Sequence, residues 1–375
     1  MPSPKRSVAI LGTRGYPSYY GGFETAVRKL APFLVDAGWN VTVYGRRGSV
    51  KSDDADADAR VESVQTHGIR TPALSTLTHG FTAALHAVIR PPSVALVMNV
   101  ANGFVLPLLR LRGIPCVVNV DGIEWERGKW SWFARQMFFA GAKMTAKFAN
   151  RLIFDAIEVE RRWRADFNVT GDYIPYGGDR RGQLEAPLDL VNGSYILLVA
   201  RFVPENSISE FFAAVPALAQ DWPVVLVGTD HGGSFDEEAR KLQLLANVQW
   251  LGHVSDDDLL HSLWQHAGVY FHGHSVGGTN PALVQAMALG APVVARDTAY
   301  NKEVLGDSGV FVQATSEEIY AGVRAVMSDP DTRDRLRQET IQRARAKFTW
   351  HLVCSRYGEV LTESAKVRES PGEPS

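Results

Sequence analysis

The sequence predicts an α/β protein made of two successive doubly wound domains, each a parallel sheet flanked by helices. Three observations carry this expectation. The chain has 375 residues, more than one ordinary core accommodates. Short apolar runs alternate with segments of helical period, the pattern of parallel strands buried on both faces. That alternation also restarts after residues 171–193, a stretch rich in Gly, Pro and charge that reads as an interdomain linker. The expected domains are 1–172 and 173–347, with a closing helix at about 348–365 returning to the first.

In the first half, Ser7 to Leu11 is an apolar strand and Gly12 to Gly22, GTRGYPSYYGG, a long glycine-rich loop. Phe23, Val27, Leu30 and Leu34 then fall at helical spacing, with Gly38 placed to end the helix, and Val41 to Tyr44 is the next strand. This opening suits a nicotinamide-cofactor enzyme as well, but Gly12 and Gly15 are followed by Tyr16 and Pro17, so GxGxxG is absent. Strand two runs into Gly45, Arg46 and Arg47, where an NAD enzyme places an acid; an arginine there suits NADP.

Composition excludes several classes. Hydrophobic residues make up 45% and charged residues 21%, as in a soluble globular protein, and a formal net charge of -2 gives no basic field for nucleic acid. Cys116 and Cys354 are too few for a disulfide framework and suit a reducing cytoplasm. The N-terminal MPSPKRSVAILG lacks a signal-peptide cleavage pattern. Arg90 to Arg110 encloses a long uncharged run, but its prolines, asparagines and glycine divide it into a strand, a loop and a short apolar helix rather than one span.

Strands Ala95 to Met98 and Cys116 to Val120 precede NVDGIEWERGKW, residues 119–130. Asp121 and Glu124 follow a strand's C-terminal end, where functional groups of such folds collect; a capping aspartate and a surface glutamate explain them equally well. Lys129 to Arg151 mixes aromatic and basic residues. That composition fits a core-facing helix with a solvated basic face, and it also fits a helix seated on an anionic membrane surface.

The second half repeats the alternation: strands Tyr195 to Ala200, Val224 to Gly228, Val248 to Leu251, Pro292 to Arg296 and Gly309 to Val312, with helices between. Arg201 ends the first of these strands. His272 to Met287, HGHSVGGTNPALVQAM, follows strand Gly268 to Phe271 and opens a helix. Gly277 and Gly278 let a ligand approach the main chain, Thr279 and Asn280 are good N-caps, and Pro281 suits the first helical position. A helix start of this kind fits an anion, and Arg201 at the same sheet edge can share a diphosphate with it. Two α/β domains, each with a ligand-binding edge, imply a cleft between them.

GTRGYPSYYGGFET (12–25), NVDGIEW (119–125), ARFVPEN (200–206), HGHSVGGTNPALVQAM (272–287) and FTWHLVCSRY (348–357) together resemble a retaining GT-B glycosyltransferase of family 4, especially its bacterial rhamnosyltransferase-like branch. The resemblance implies that Gly21 and Gly22 offer backbone N–H groups to the donor diphosphate, while Arg14, Tyr20, Glu24 and Glu124 lie on the acceptor side. It places Asp121 where many members have a histidine near the reacting sugar, and makes Arg201 the diphosphate arginine. Gly277, Gly278, Thr279 and Asn280 become the sugar and phosphate loop, and Gln285 the second position of E-x7-E, which holds the ribose. It further implies a nucleotide-sugar co-substrate, no cofactor and no metal, and a glycan or lipid-linked acceptor. Asp54-x-Asp56 and Asp56-x-Asp58 look like the metal-binding DxD of the other large transferase fold, but their alanine-rich setting in Lys51 to Arg60 reads as a solvated loop.

Three positions depart from the pattern: Gly277 replaces the first glutamate, Gln285 the second, and Asn206 a common lysine. The alternative reading is therefore a degenerate protein that binds a sugar nucleotide without turning it over. A GT-B epimerase or phosphorylase is a further class.

Overall fold

The computed structural model describes residues 6–19, 21–46, 48, 54, 57–68, 72–127 and 130–369. Tyr20, Arg47, Asp56 and Lys129 lie outside them. The chain divides into two compact units, 1–176 with 351–375, and 177–350.

The first unit contains β1 (Ser7–Leu11), α1 (Gly22–Asp36), β2 (Asn40–Arg46), β3 (Glu62–Thr66), α2 (Pro72–Ile89), β4 (Val94–Met98), α3 (Leu106–Leu111), β5 (Cys116–Asn119), α4 (Trp132–Phe148), β6 (Arg151–Phe154), α5 (Ile157–Phe167) and β7 (Asp172–Tyr173). All strand pairs are parallel, in the order β3-β2-β1-β4-β5-β6-β7. The central strands are the apolar runs: β4 and β5 are buried at every position. Strand β3, ESVQT, sits at the edge and is mostly exposed, so it lacks the apolar signature that marks the others.

The second unit follows with β8 (Ile196–Val199), α6 (Ile208–Leu218), β9 (Val224–Val227), α7 (Ser234–Leu242), β10 (Val248–Trp250), α8 (Asp257–His266), β11 (Val269–His272), α9 (Pro281–Ala288), β12 (Val293–Arg296), α10 (Ala299–Leu305), β13 (Val310–Val312), α11 (Ser316–Ser328) and α12 (Pro330–Lys347). Its parallel sheet runs β10-β9-β8-β11-β12-β13. Each face carries its own core: Phe211, Phe212 and Ile319 pack on one, Trp264, Tyr270 and Phe348 on the other.

In both sheets the strand order reverses direction once, between β1 and β4 and between β8 and β11. In open α/β sheets that switch point, at the carboxyl ends of the strands, is where loops diverge and leave room for a ligand. The glycine-rich loop of the first unit leaves β1, and the Arg201 and Gly277 loops of the second leave β8 and β11.

The stretch expected to be a linker is tied down from Gly177 onward. Leu184 N–H donates to Gln265 Oε1 (2.7 Å), His266 Nε2 meets the Leu184 carbonyl (2.9 Å) and Gly178 N–H donates to Phe348 O (2.8 Å). These contacts satisfy the polar backbone of a segment with little regular structure. The closing helix α13 (Trp350–Glu369) rejoins the first unit from His351, where Tyr357 accepts from Asn119 Nδ2 and Glu363 pairs with Arg151. No helix among the described residues is long and apolar enough to cross a membrane.

Candidate donor site and acceptor-side loops

In the second unit the loop after β8 is fastened to the loop after β11. Asn206 Nδ2 donates to the Arg201 carbonyl (2.8 Å), and Asn206 Oδ1 lies 2.7 Å from His274 Nδ1. Ser275 directs both its N–H and its Oγ to the Glu205 carbonyl, at 2.9 and 2.8 Å. Ser207 Oγ donates to Gly273 O (2.9 Å) and receives Arg296 Nη1 (3.1 Å). A side chain at Gly273 is excluded, since its Cβ would stand 2.2 Å from Asn206 O.

Arg201 itself is exposed, and its guanidinium has no hydrogen-bond or ion-pair partner among the described residues. A charge held at the switch point and left unpaired is available to an anion. On the loop after β11, Gly277 takes φ 103°, a conformation closed to most side chains. Thr279 is buried, and Asn280 is the N-cap of α9, its side chain accepting from Ala282 N–H (2.9 Å). The residues from Gly277 to Asn280 lead into the start of α9 and follow directly on the His274 and Ser275 segment that is tied to the Arg201 loop.

Gln285 is placed differently from a free ligand group. Its Oε1 accepts from Asp179 N–H (2.8 Å) and its Nε2 donates to Asp179 O (2.9 Å).

His272, at the end of β11, is buried, with Nδ1 2.9 Å from the Tyr270 hydroxyl. Burial, aided by nearby His274, holds its pKa well below the usual histidine range, so the ring is neutral.

In the first unit, Gly21 is the extended N-cap of α1 and its carbonyl accepts from Thr25. Gly22 opens that helix, leaving first-turn N–H groups at the switch point. The carbonyl of Arg14 receives Arg46 N–H (3.0 Å), and a Cβ at Gly45 would meet Gly15 Cα at 2.7 Å. The glycine-rich loop therefore lies over the end of β2. Asp121 adopts φ 65° after β5; its N–H donates to Asn119 Oδ1 (3.0 Å) and its Oδ2 accepts from Asn99 Nδ2 (3.4 Å). A non-glycine residue held in this region stores strain of the kind found at functional sites. Asp121 and buried Glu24 both act on Tyr176, whose hydroxyl pKa is raised first by burial and then by Asp121, Asp155, Tyr357 and Glu24. Glu124 is also buried and is held by its own loop, accepting from Trp130 Nε1 (2.9 Å) and pairing with Arg127 (2.7 Å).

The acidic loop is engaged locally: Asp58 pairs with Arg60 (2.6 Å) and Asp54 accepts from Tyr19 (3.0 Å). Among the described residues no group of three His, Cys, Asp or Glu is arranged to hold a metal ion. Helix α4 buries Gly141, Ala142 and Thr145, and leaves Trp132 and Phe133 exposed.

Residues 185–343 match the family described as Glycosyl transferases group 1. That match falls within the C-terminal unit, residues 177–350. Residues 5–179, by contrast, match a domain of unknown function, DUF1972. A phosphatidyl-myo-inositol mannosyltransferase of Mycolicibacterium smegmatis is 29% identical over 212 residues, 52% of this chain and 53% of that protein. The chain thus spans about half the length of the curated relatives it matches. Sucrose-phosphate synthase from Thermosynechococcus elongatus superposes with a TM-score of 0.78 at 18% identity, covering 96% of this chain and 99% of the other. Anabaena HepE in complex with UDP-glucose gives 0.71 at 16% identity, covering 96% and 100%. These whole-chain likenesses fix the fold as GT-B.

The loops that carry Arg201 and Gly277 to Asn280 leave the neighbouring strands β8 and β11. The pairing of Asn206 with His274 and of Gln285 with Asp179 had no local signal, since each joins residues far apart in the chain.

Proposed function

We propose that the protein is a retaining glycosyltransferase that moves a sugar from a nucleoside diphosphate donor to a hydroxyl of a glycan or lipid-linked acceptor. The observation that carries this reading is Arg201, an exposed guanidinium unpaired among the described residues, at the switch point of a unit that matches the group 1 glycosyltransferases, on a loop tied through Asn206 to His274. As the bond to the sugar breaks, charge builds on the departing diphosphate. Arg201 and the N–H groups from Gly278 to Asn280 stabilise it as preorganised donors, without metal or cofactor. Support comes from HepE, whose structure holds UDP-glucose in the same fold.

Asp121, strained and close to Tyr176, is the first-unit carboxylate assigned to the reacting sugar, with Gly21 and Gly22 offering N–H groups to the donor and Arg14, Tyr20, Glu24 and Glu124 on the acceptor side. The resemblance to the rhamnosyltransferase-like branch makes dTDP-rhamnose the first donor to test. The buried, unpaired Cys116 and Cys354 suit a cytoplasmic setting. Exposed Trp132 and Phe133 on a basic helix keep peripheral contact with anionic lipid in the proposal.

A second reading has one observation in its favour: the Gln285 amide is taken up by Asp179, which withdraws it from the ribose-holding role and suits a protein that binds a sugar nucleotide without turning it over.

A thermal-shift panel of nucleotide sugars tests the donor site, because the true donor stabilises the fold by mass action. One donor raising the melting temperature above all others is the expected result; no response to any of them sinks the donor site. Product formation from that donor then separates the transferase from the binder.

A further inference from the structure

We propose that His274 is a positioning residue that holds the Arg201 loop in place through Asn206, using a ring hydrogen present in both of its protonation states. The inference rests on the donor-site reading above and adds to it a residue that the motifs do not single out.

The hydrogen-bond directions follow from chemistry. The Arg201 carbonyl can only accept, so the Asn206 atom 2.8 Å away must be its NH2 group. Oδ1 of the same amide then faces His274 Nδ1 at 2.7 Å and can only accept. Nδ1 must therefore carry hydrogen, in the neutral ring as in the charged one, and any titration falls on Nε2. Asn206 is 7% exposed, so water has little access to replace a missing partner. The stitch through Asn206 ends on the Arg201 carbonyl. Ser275 reaches Glu205, and Ser207 reaches Gly273.

The elements around His274 carry Arg201 and Glu205 on the loop after β8, His272 on β11 with its ring 6.0 Å away, Arg296 at the end of β12, and Lys302 and Glu303 on α10. Asn301 of α10 also donates to the His274 carbonyl (2.9 Å). The relay through Nδ1 does not depend on these charges.

Two measurements test the proposal. Ring 15N spectra of the ligand-free protein should show His274 Nδ1 protonated throughout, with Nε2 alone titrating; a ring with a bare Nδ1 overturns it. His274→Asn returns an amide N–H near the Nδ1 position, whereas His274→Gln places one near Nε2. Titrated with UDP, GDP and dTDP, His274→Asn should bind within about twofold of wild type, and His274→Gln and His274→Ala about tenfold more weakly. The ratios should be the same from about pH 6 to about pH 8. Retained affinity in the Gln variant with loss in the Asn variant, or ratios that change with pH, would show that His274 touches the ligand itself. If wild type binds none of the three nucleotides, the donor-site reading fails, and the relay is judged by the ring spectra and by proteolysis of residues 201–207. Faster cleavage in His274→Gln than in His274→Asn supports it, and equal rates overturn it.

Discussion

Gln285 and Asp179 hold one another through both ends of a single side-chain amide, Oε1 to the Asp179 N–H at 2.8 Å and Nε2 to its carbonyl at 2.9 Å. This clasp fixes the first residues of the second unit onto α9. A glutamate at the same position keeps the acceptor but sets a carboxylate oxygen against a carbonyl. Gln285→Glu, which restores the acid common in similar enzymes, is therefore expected to destabilise the protein by about 1 kcal/mol, the scale of one lost hydrogen bond at a half-buried pair. Urea denaturation measures it; a variant as stable as wild type would mean that the clasp contributes nothing.

Arg201 has the opposite character, since it is exposed and makes no ion pair among the described residues. Arg201→Ala should lower turnover at least about tenfold, or roughly 1.4 kcal/mol of transition-state stabilisation, while leaving the melting temperature close to wild type. Near-normal turnover with the preferred donor would remove Arg201 from the site.

Gly273 tests the spacing of the two loops. A methyl group there would stand 2.2 Å from the Asn206 carbonyl, a backbone atom that cannot swing aside. Gly273→Ala should push the loops apart, lower stability by about 1 to 3 kcal/mol as overpacked sites do, and weaken nucleotide binding together with stability. Crystallography of the variant with the loops unmoved would refute the argument.

What the sequence made legible follows from burial. The apolar runs of β4, β5, β8 and β9 announce buried parallel strands, and the glycine, asparagine and proline before α9 announce a helix start. Arg201 was readable as a charge at a strand end. Edge strand β3 was not, because half of an edge faces water and ESVQT carries no apolar run. Nor was the anchoring of residues 177–193, whose Gly, Pro and charge resemble a linker although side chains of α8 satisfy their backbone. The partners of Asn206 and Gln285 lie 68 and 106 residues away, beyond any local pattern.

Two buried histidines predict the response to acid. His79 lies 2.8 Å from Thr66 Oγ1, and its pKa is lowered to about 4, first by burial and then by Arg46. His272 is lowered well below the usual value by burial and His274. In the unfolded chain both rings take up protons near pH 6.5, while the folded rings remain neutral until lower pH. The unfolded state then binds more protons, so stability is fully present above about pH 6.5 and falls as the pH drops toward about 4. Denaturation midpoints measured from about pH 7.5 to about pH 4.5 should fall steadily, over a range that lies above the titration of ordinary aspartates. His79→Asn keeps a group able to reach Thr66 but cannot titrate, and should flatten part of that slope. A slope unchanged in the variant would mean that His79 is protonated in the fold at the same pH as in the open chain.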